Sequence, residues 1–191
     1  MLRDISLHIL DLTQNSIRAK AERVDIGLSA DSTAGLLSVT IEDNGCGMSK
    51  AFLAAVEDPF TTSRTTRKVG MGIPFFKLAC VQSGGDFTID SEEGKGTKLS
   101  GTMGIDSIDR LPLGNLGDSV KFLIMGSPEV RFVLTLSADG REAVIDTDEI
   151  KAQLGDVSIA EREILEWIED FINENVANIF GGVLNEIIRR A

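Results

Sequence analysis

The chain has 191 residues, 42% of them hydrophobic and 26% charged, and a net charge of −11 at pH 7. That length holds one large domain or two small ones with a real core, and the composition is that of an ordinary soluble globular protein. An acidic chain lacks the basic face that nonspecific nucleic-acid binding needs, so nucleic acid is not an expected partner. The acidity is uneven: residues 1–104 carry 11 basic and 13 acidic side chains, residues 105–191 carry 8 and 17. A solvated acidic surface is the ordinary reading of that excess, and an acidic docking face for a basic partner is the sharper one. Cys46 and Cys80 show neither metal-ligand spacing nor a disulfide pattern, which fits a reduced, cytoplasmic setting. The first residues lack a secretory signal's basic start and long apolar core, and no stretch reaches the roughly 18 apolar residues of a membrane helix. A cytoplasmic protein without membrane insertion is the expectation.

From Ile5 to Ala21 the apolar positions Ile5, Ile9, Leu12 and Ile17 recur at helical spacing. Val24, Ile26 and Leu28 then alternate with polar residues, as do Leu37, Val39 and Ile41, so two strands are expected around a loop at Asp31–Gly35. A short helix is expected over Lys50–Glu57, and a polar loop rich in Thr, Ser and Arg over Asp58–Val69. Pro74 suits the first turn of a helix carrying Phe75, Leu78, Ala79 and Val81 and ending at Gly84-Gly85. Phe87 and Ile89 mark one further strand, and Leu99, Gly101 and Met103 another.

Past Gly104, Leu116, Val120, Leu123 and Ile124 predict a helix, and Val130, Phe132, Leu134 and Leu136 a strand. Asp139-Gly140 is a hairpin turn into a strand around Ala143–Ile145. Ser158 and Glu161 read as a capping box opening a long helix with Leu165, Ile168, Ile172, Val176 and Ile179 on one stripe. Trp167 and that stripe are expected to form the core of this region, with a dimer or partner surface as the alternative. The expected organisation is two parts, residues 1–104 as one domain and 105–191 as a smaller α+β region with a regulatory or partner-binding role.

Four short motifs in the first part carry chemistry. Asp11 and Asn15 lie one helical turn apart and share a face. An amide oxygen is a fitting hard ligand for Mg²⁺, which takes few protein ligands beside phosphate and water, and a carboxylate one turn away can accept a proton from an attacking hydroxyl. Arg18 falls on the same side and can meet phosphate oxygens. Asp43 ends a buried strand just before Gly45 and Gly47, where a carboxylate can accept from adenine's exocyclic amine. Gly70, Met71 and Gly72 precede a helix whose free N–H groups suit phosphate. Thr97 closes the turn Gly94-Lys95-Gly96-Thr97, and Arg64, Arg67 and Lys68 sit in the polar loop, where a lid over a triphosphate would need positive charge. Taken singly, each also fits a bland element: an exposed helix face, a hairpin turn, a solvated basic loop.

In that order and spacing, the segments LDLTQNSIRAKAERVDIGL, IEDNGCGMS, DPFTTSRTTRKVGMGIPFFKLACVQSGG and SEEGKGTKLSGTM resemble the GHKL, or Bergerat-fold, ATPases. That superfamily includes gyrase, heat-shock chaperone, histidine-kinase and mismatch-repair ATPases. The resemblance covers residues 4–104 and implies an α+β sandwich, a mixed and mostly antiparallel sheet with helices on one face, binding ATP with Mg²⁺. It matches Asn15 to the metal-coordinating asparagine and Asp43 to the adenine-binding aspartate. Gly45, Gly47 (with Met48 following it), Gly70 and Gly72 match the glycine boxes, and Thr97 the threonine of the last box. Arg64 and Lys68 fall in the segment matching the lid.

The sequence also departs from the family pattern. Only ten residues precede Asp11, at most about 15 Å of helix, so the dimerising hairpin with its phosphoaccepting histidine is not expected. His8, the single histidine, reads as a packing or surface residue. Histidine kinases usually carry asparagine where Asp11 stands, and the hydrolysing members and serine kinases carry glutamate. Asp11 is therefore expected to act as the base of an ATP-dependent protein kinase or ATPase working on a protein partner in signalling. The alternatives are a non-catalytic ATP-driven switch and an anti-sigma-like regulatory binder, and a homodimer is left open.

Overall fold

The computed structural model describes residues 2–56 and 71–184. Helix α1 (Ile5–Arg18) is opened by Asp4, whose carboxylate accepts from the Leu7 N–H at 2.9 Å and from the Ser6 hydroxyl, satisfying donors that a helix start leaves free. Its stripe Ile5, Ile9, Leu12 and Ser16 is buried. Strands β1 (Arg23–Asp31) and β2 (Leu36–Asp43) form an antiparallel pair in which Val24 lies opposite Asp43. Helices α2 (Lys50–Val56) and α3 (Gly72–Gln82) follow, then the hairpin β3 (Phe87–Glu92) and β4 (Gly96–Gly104). The remaining elements are α4 (Leu116–Gly126), β5 (Arg131–Ala138), β6 (Arg141–Asp146), α5 (Thr147–Leu154) and α6 (Arg162–Phe180).

One six-stranded sheet has the order β3-β4-β2-β1-β5-β6. Every neighbouring pair is antiparallel except β1 with β5, where Val24 pairs with Phe132 in a parallel register. This is the expected mixed, mostly antiparallel sheet, and it runs without a break across residue 104. Strand alternation sends Val24, Ile26, Leu28, Val39, Ile41, Leu99, Leu134 and Leu136 to one face, where they are buried with the inner sides of α1, α3, α4 and α6. The other face presents Asp25, Ser29, Ser38, Thr40, Glu42, Thr135 and Ser137 around a shallow hollow of about 260 Å³. With the described helices packed on that one face, this is a two-layer sandwich.

Three details differ from the sequence reading. Ser158 does not cap the long helix: its hydroxyl accepts from the Ala160 N–H, α6 starts at Arg162, and Glu161 at the cap position makes no side-chain capping bond. Helix α5 was not foreseen, because eight residues carry too few apolar positions for a periodicity. Its signal was Asp146, which caps it by accepting from the Asp148 N–H at 2.9 Å. Trp167 is not core. It stands 51% exposed on α6 while Leu165, Ile168, Ile172 and Ile179 of the same helix are buried. Among the described residues no helix is long and apolar enough to cross a membrane.

Candidate functional site

A cavity of about 350 Å³ opens between α1, the facing ends of β2 and β4, α2 and the start of α3. Its walls are largely apolar, with Leu12, Ile41, Met48, Phe52, Ile89 and Leu99 among them, and its polar groups include Asn15, Ser16, Arg18, Asp43 and Thr97. An apolar slot holding a few polar groups is what a flat heteroaromatic ligand needs. A wider hollow of about 560 Å³ at the far end of the sheet, by Asp31 and Asp139, is rimmed by short polar and charged side chains and offers no such slot.

Asp43 owes its place to the last position of β2, opposite Thr97 of β4. Both carboxylate oxygens are held: the Ser16 hydroxyl donates to Oδ2 at 2.7 Å and the Gly45 N–H to Oδ1 at 2.9 Å. Each oxygen keeps acceptor capacity, so the fixed carboxylate can take a further N–H from within the cavity. The loop after it is pinned on every side. Asn44 accepts from the N–H groups of Glu22 and Arg23, and the Cys46 N–H donates to the Ala19 carbonyl. The Gly94 N–H donates to the Cys46 carbonyl and the Met48 N–H to the Ser91 hydroxyl, which in turn is 2.9 Å from that of Thr97. Gly47 has φ +62°, and a Cβ there would lie 2.0 Å from the Glu92 carbonyl oxygen. Glycine is thus required at this position by the β3–β4 hairpin crossing the loop, a backbone-to-backbone approach no other residue permits.

The helix places Asn15 in the cavity wall, one turn after Leu12. Its Oδ1 accepts from Arg18 Nη1 at 2.9 Å, so the amide oxygen proposed for a cation is shared with a guanidinium that also lines the cavity. Asp11 is placed differently. It is not in the wall formed by the described residues; its carboxylate lies against the first turn of α3, where a Cβ on Gly72 would sit 2.0 Å from Oδ2. The positive end of that helix favours a carboxylate there. Met71 precedes α3 as an exposed cap residue, and Ile73 reaches the cavity. Arg64, Lys68 and Gly70 lie outside the described residues.

His8 is fully buried on α1, its ring 5.6 Å from that of Phe76, with neither ring nitrogen hydrogen-bonded among the described residues. Burial pushes its pKa down, against the pull of Asp11 and Asp4, so it is a neutral packing residue. The residues that sequence reasoning missed are Ser16 and Ser91, which orient Asp43 and the glycine loop, and the apolar walls Phe52 and Ile73. Ser16 is 27 positions from its partner, a separation that no local pattern reveals.

These observations define a two-layer α+β domain with a nucleotide-sized slot under its first helix. The family model for histidine kinase-, DNA gyrase B- and HSP90-like ATPases matches residues 3–105, and the chain belongs to that family. The "Probable C4-dicarboxylate sensor kinase" of Bacillus subtilis is 31% identical over 85 residues, which are 44% of this chain and 16% of that protein. The "Hybrid signal transduction histidine kinase B" of Dictyostelium discoideum is 32% identical over 112 residues, 54% of this chain and 5% of the relative. The chain therefore matches only a small part of each. Among solved structures, the N-terminal domain of a DNA repair protein superposes with a TM-score of 0.51 at 13% identity, covering 75% of this chain and 52% of the other.

Proposed function

We propose that this protein binds ATP with Mg²⁺ in the slot under α1 and acts as an ATP-dependent kinase or ATPase on a protein partner in signalling. The observation that supports it most is the doubly held Asp43 carboxylate beside the apolar walls of Ile41 and Leu99. A purine edge needs an acceptor for its amine and two flat apolar faces, and the slot supplies both. Asn15 and Arg18 stand at the same cavity, where a triphosphate leaving the purine would pass them. Among the described residues no group of three or more His, Cys, Asp or Glu could hold a metal ion by itself. The cation in this reading is carried by the nucleotide and met by one protein oxygen, that of Asn15. When bound, such an ion neutralises phosphate charge.

Arg18 has the second part of the work. By turning from Asn15 to a phosphate oxygen it would free the amide and add a positive charge at the tail. In the kinase or ATPase reading Asp11 takes the proton of the attacking hydroxyl or water. The charge of residues 105–191 suits a regulatory or partner-binding role for that region.

A second reading, an ATP-driven switch without chemistry, is favoured by one specific observation: the Asp11 carboxylate lies against the start of α3 and is not part of the slot wall formed by the described residues. Incubating the protein with γ-labelled ATP and measuring phosphate release or transfer, with Asp11→Asn in parallel, separates the two. Turnover that collapses in the variant supports the enzyme. Equal background from both proteins, with ATP binding intact, leaves the switch.

A further inference from the structure

The outward face of α6 holds groups that the nucleotide slot does not use. Glu163, Trp167, Asp170, Phe171 and Glu174 follow one another at helical spacing, and all five are exposed. Residues at such intervals form one continuous stripe. It lies across the helix from Leu165, Ile168 and Ile172, which are buried in the core. The rings of Trp167 and Phe171 stack at 5.2 Å between centroids and 10° between planes, yet they remain 51% and 38% exposed. A pair of large aromatics stacked in water presents a rigid apolar strip with nothing over it among the described residues.

The charges around that strip are of one sign. Elsewhere on α6 the carboxylates are matched: Glu166 pairs with Arg162 at 2.7 Å, and Glu169 with Lys121 of α4. Glu163, Asp170 and Glu174 have no ion-pair partner among the described residues, and Asp170 and Glu174 are like charges one turn apart, an arrangement that disfavours the helix. Residues 105–191 as a whole hold 17 acidic against 8 basic side chains. A second copy of this chain meeting the stripe face to face would bring three unpaired carboxylates against three, and an anionic membrane would be repelled.

We propose that this face of α6 docks a basic amphipathic helix of a partner protein, its apolar side on Trp167 and Phe171 and its Lys or Arg side chains against Glu163, Asp170 and Glu174. Aromatic anchors ringed by charges complementary to the partner's are the pattern of a specific small interface, and arginine over the indole face adds attraction. This gives the proposed protein partner a chemistry, and it stands on residues separate from the nucleotide slot.

Trp167 is the single tryptophan and there is no tyrosine, so intrinsic fluorescence reports this face directly. The full chain is titrated with a synthetic helical peptide of leucine and lysine carrying one apolar stripe, and with its leucine–glutamate counterpart. The expected result is a saturating blue shift of the emission with the lysine peptide only. The midpoint should move at least about tenfold for Phe171→Ala and for Asp170→Lys combined with Glu174→Lys. Circular dichroism confirms that the variants keep their helices, and Asp43→Asn should respond like wild type. No shift, an equal shift with the glutamate peptide, or unaltered midpoints in the variants would overturn the proposal. A blue shift that grows with protein concentration alone would assign the face to a second copy and overturn it too.

Discussion

Asp43→Asn isolates the charge at the floor of the slot while keeping the side chain's size. In the wild type the two carboxylate oxygens accept from Ser16 at 2.7 Å and from Gly45 at 2.9 Å. Asparagine offers one acceptor and one donor, so one of those two donors, or the purine amine, must face an N–H₂ group. A hydrogen bond to a charged group is worth about 1.5–3 kcal/mol, against about 1 for a neutral one. Each 1.4 kcal/mol is a factor of ten in affinity, so losing the charged contact should weaken Mg-ATP by roughly ten- to a hundredfold. Calorimetric titration measures the constant, and a melting curve without nucleotide shows whether the loop has also loosened. The stabilisation that Mg-ATP confers on melting should shrink in step, because it follows the ligand-to-Kd ratio. A dissociation constant within about twofold of wild type, at an unchanged melting temperature, would refute the placement of the purine against Asp43.

Three further outcomes are expected. Chelating Mg²⁺ should weaken ATP binding by wild type, whereas Asn15→Ala should bind about equally weakly with and without the ion; titration in both buffers checks this. Cys46 is exposed and lines the cavity, while Cys80 is buried with its pKa pushed up to about 12 by desolvation. Iodoacetamide should therefore label Cys46 alone in the native protein, more slowly when Mg-ATP is present, as peptide mass mapping would show. Asp146 is held below its ordinary value of 3.8 chiefly by hydrogen bonds from Arg131, against the opposing effect of burial. A carboxyl depressed in the folded state adds stability that is full above 3.8 and disappears as pH falls through its folded value. Asp146→Asn, which preserves a capping side chain for α5, should thus melt lower than wild type at pH 7, with the gap closing only below about pH 4; melting curves across pH would show a constant gap if the ion pair contributed nothing to it.

Much of the domain could be read from the chain because its signals are local. Alternation over Val24–Leu28 and Leu37–Ile41 names two strands and their inner faces, since successive side chains point to opposite sides of a sheet. Asp43 with its glycines, and the α3 start with Pro74, are stop and start signals set by backbone conformation. The ordered set of motifs therefore identified the family before any coordinates did. Partners distant in sequence were a different matter. Ser16's hold on Asp43, the Glu92 carbonyl that demands glycine at 47, and the contact of Asp11 with Gly72 arise from separate elements meeting in space.

The same division holds for the second part of the chain. Its apolar stripe predicted a long helix, but periodicity does not say which large side chains the neighbouring elements cover. The sequence groups Trp167 with the apolar stripe of the helix; α4 and the sheet cover the side of α6 carrying Leu165, Ile168 and Ile172, and leave the indole in solvent. Nor could the sequence place β5. A parallel strand beside β1 requires a crossover rather than a turn, here passing through α4, and which edge accepts it depends on where the buried face of that helix finds the others. Local chemistry set the elements, the glycine turns and the family; which faces ended up covered, and which groups meet in the slot, was decided by packing.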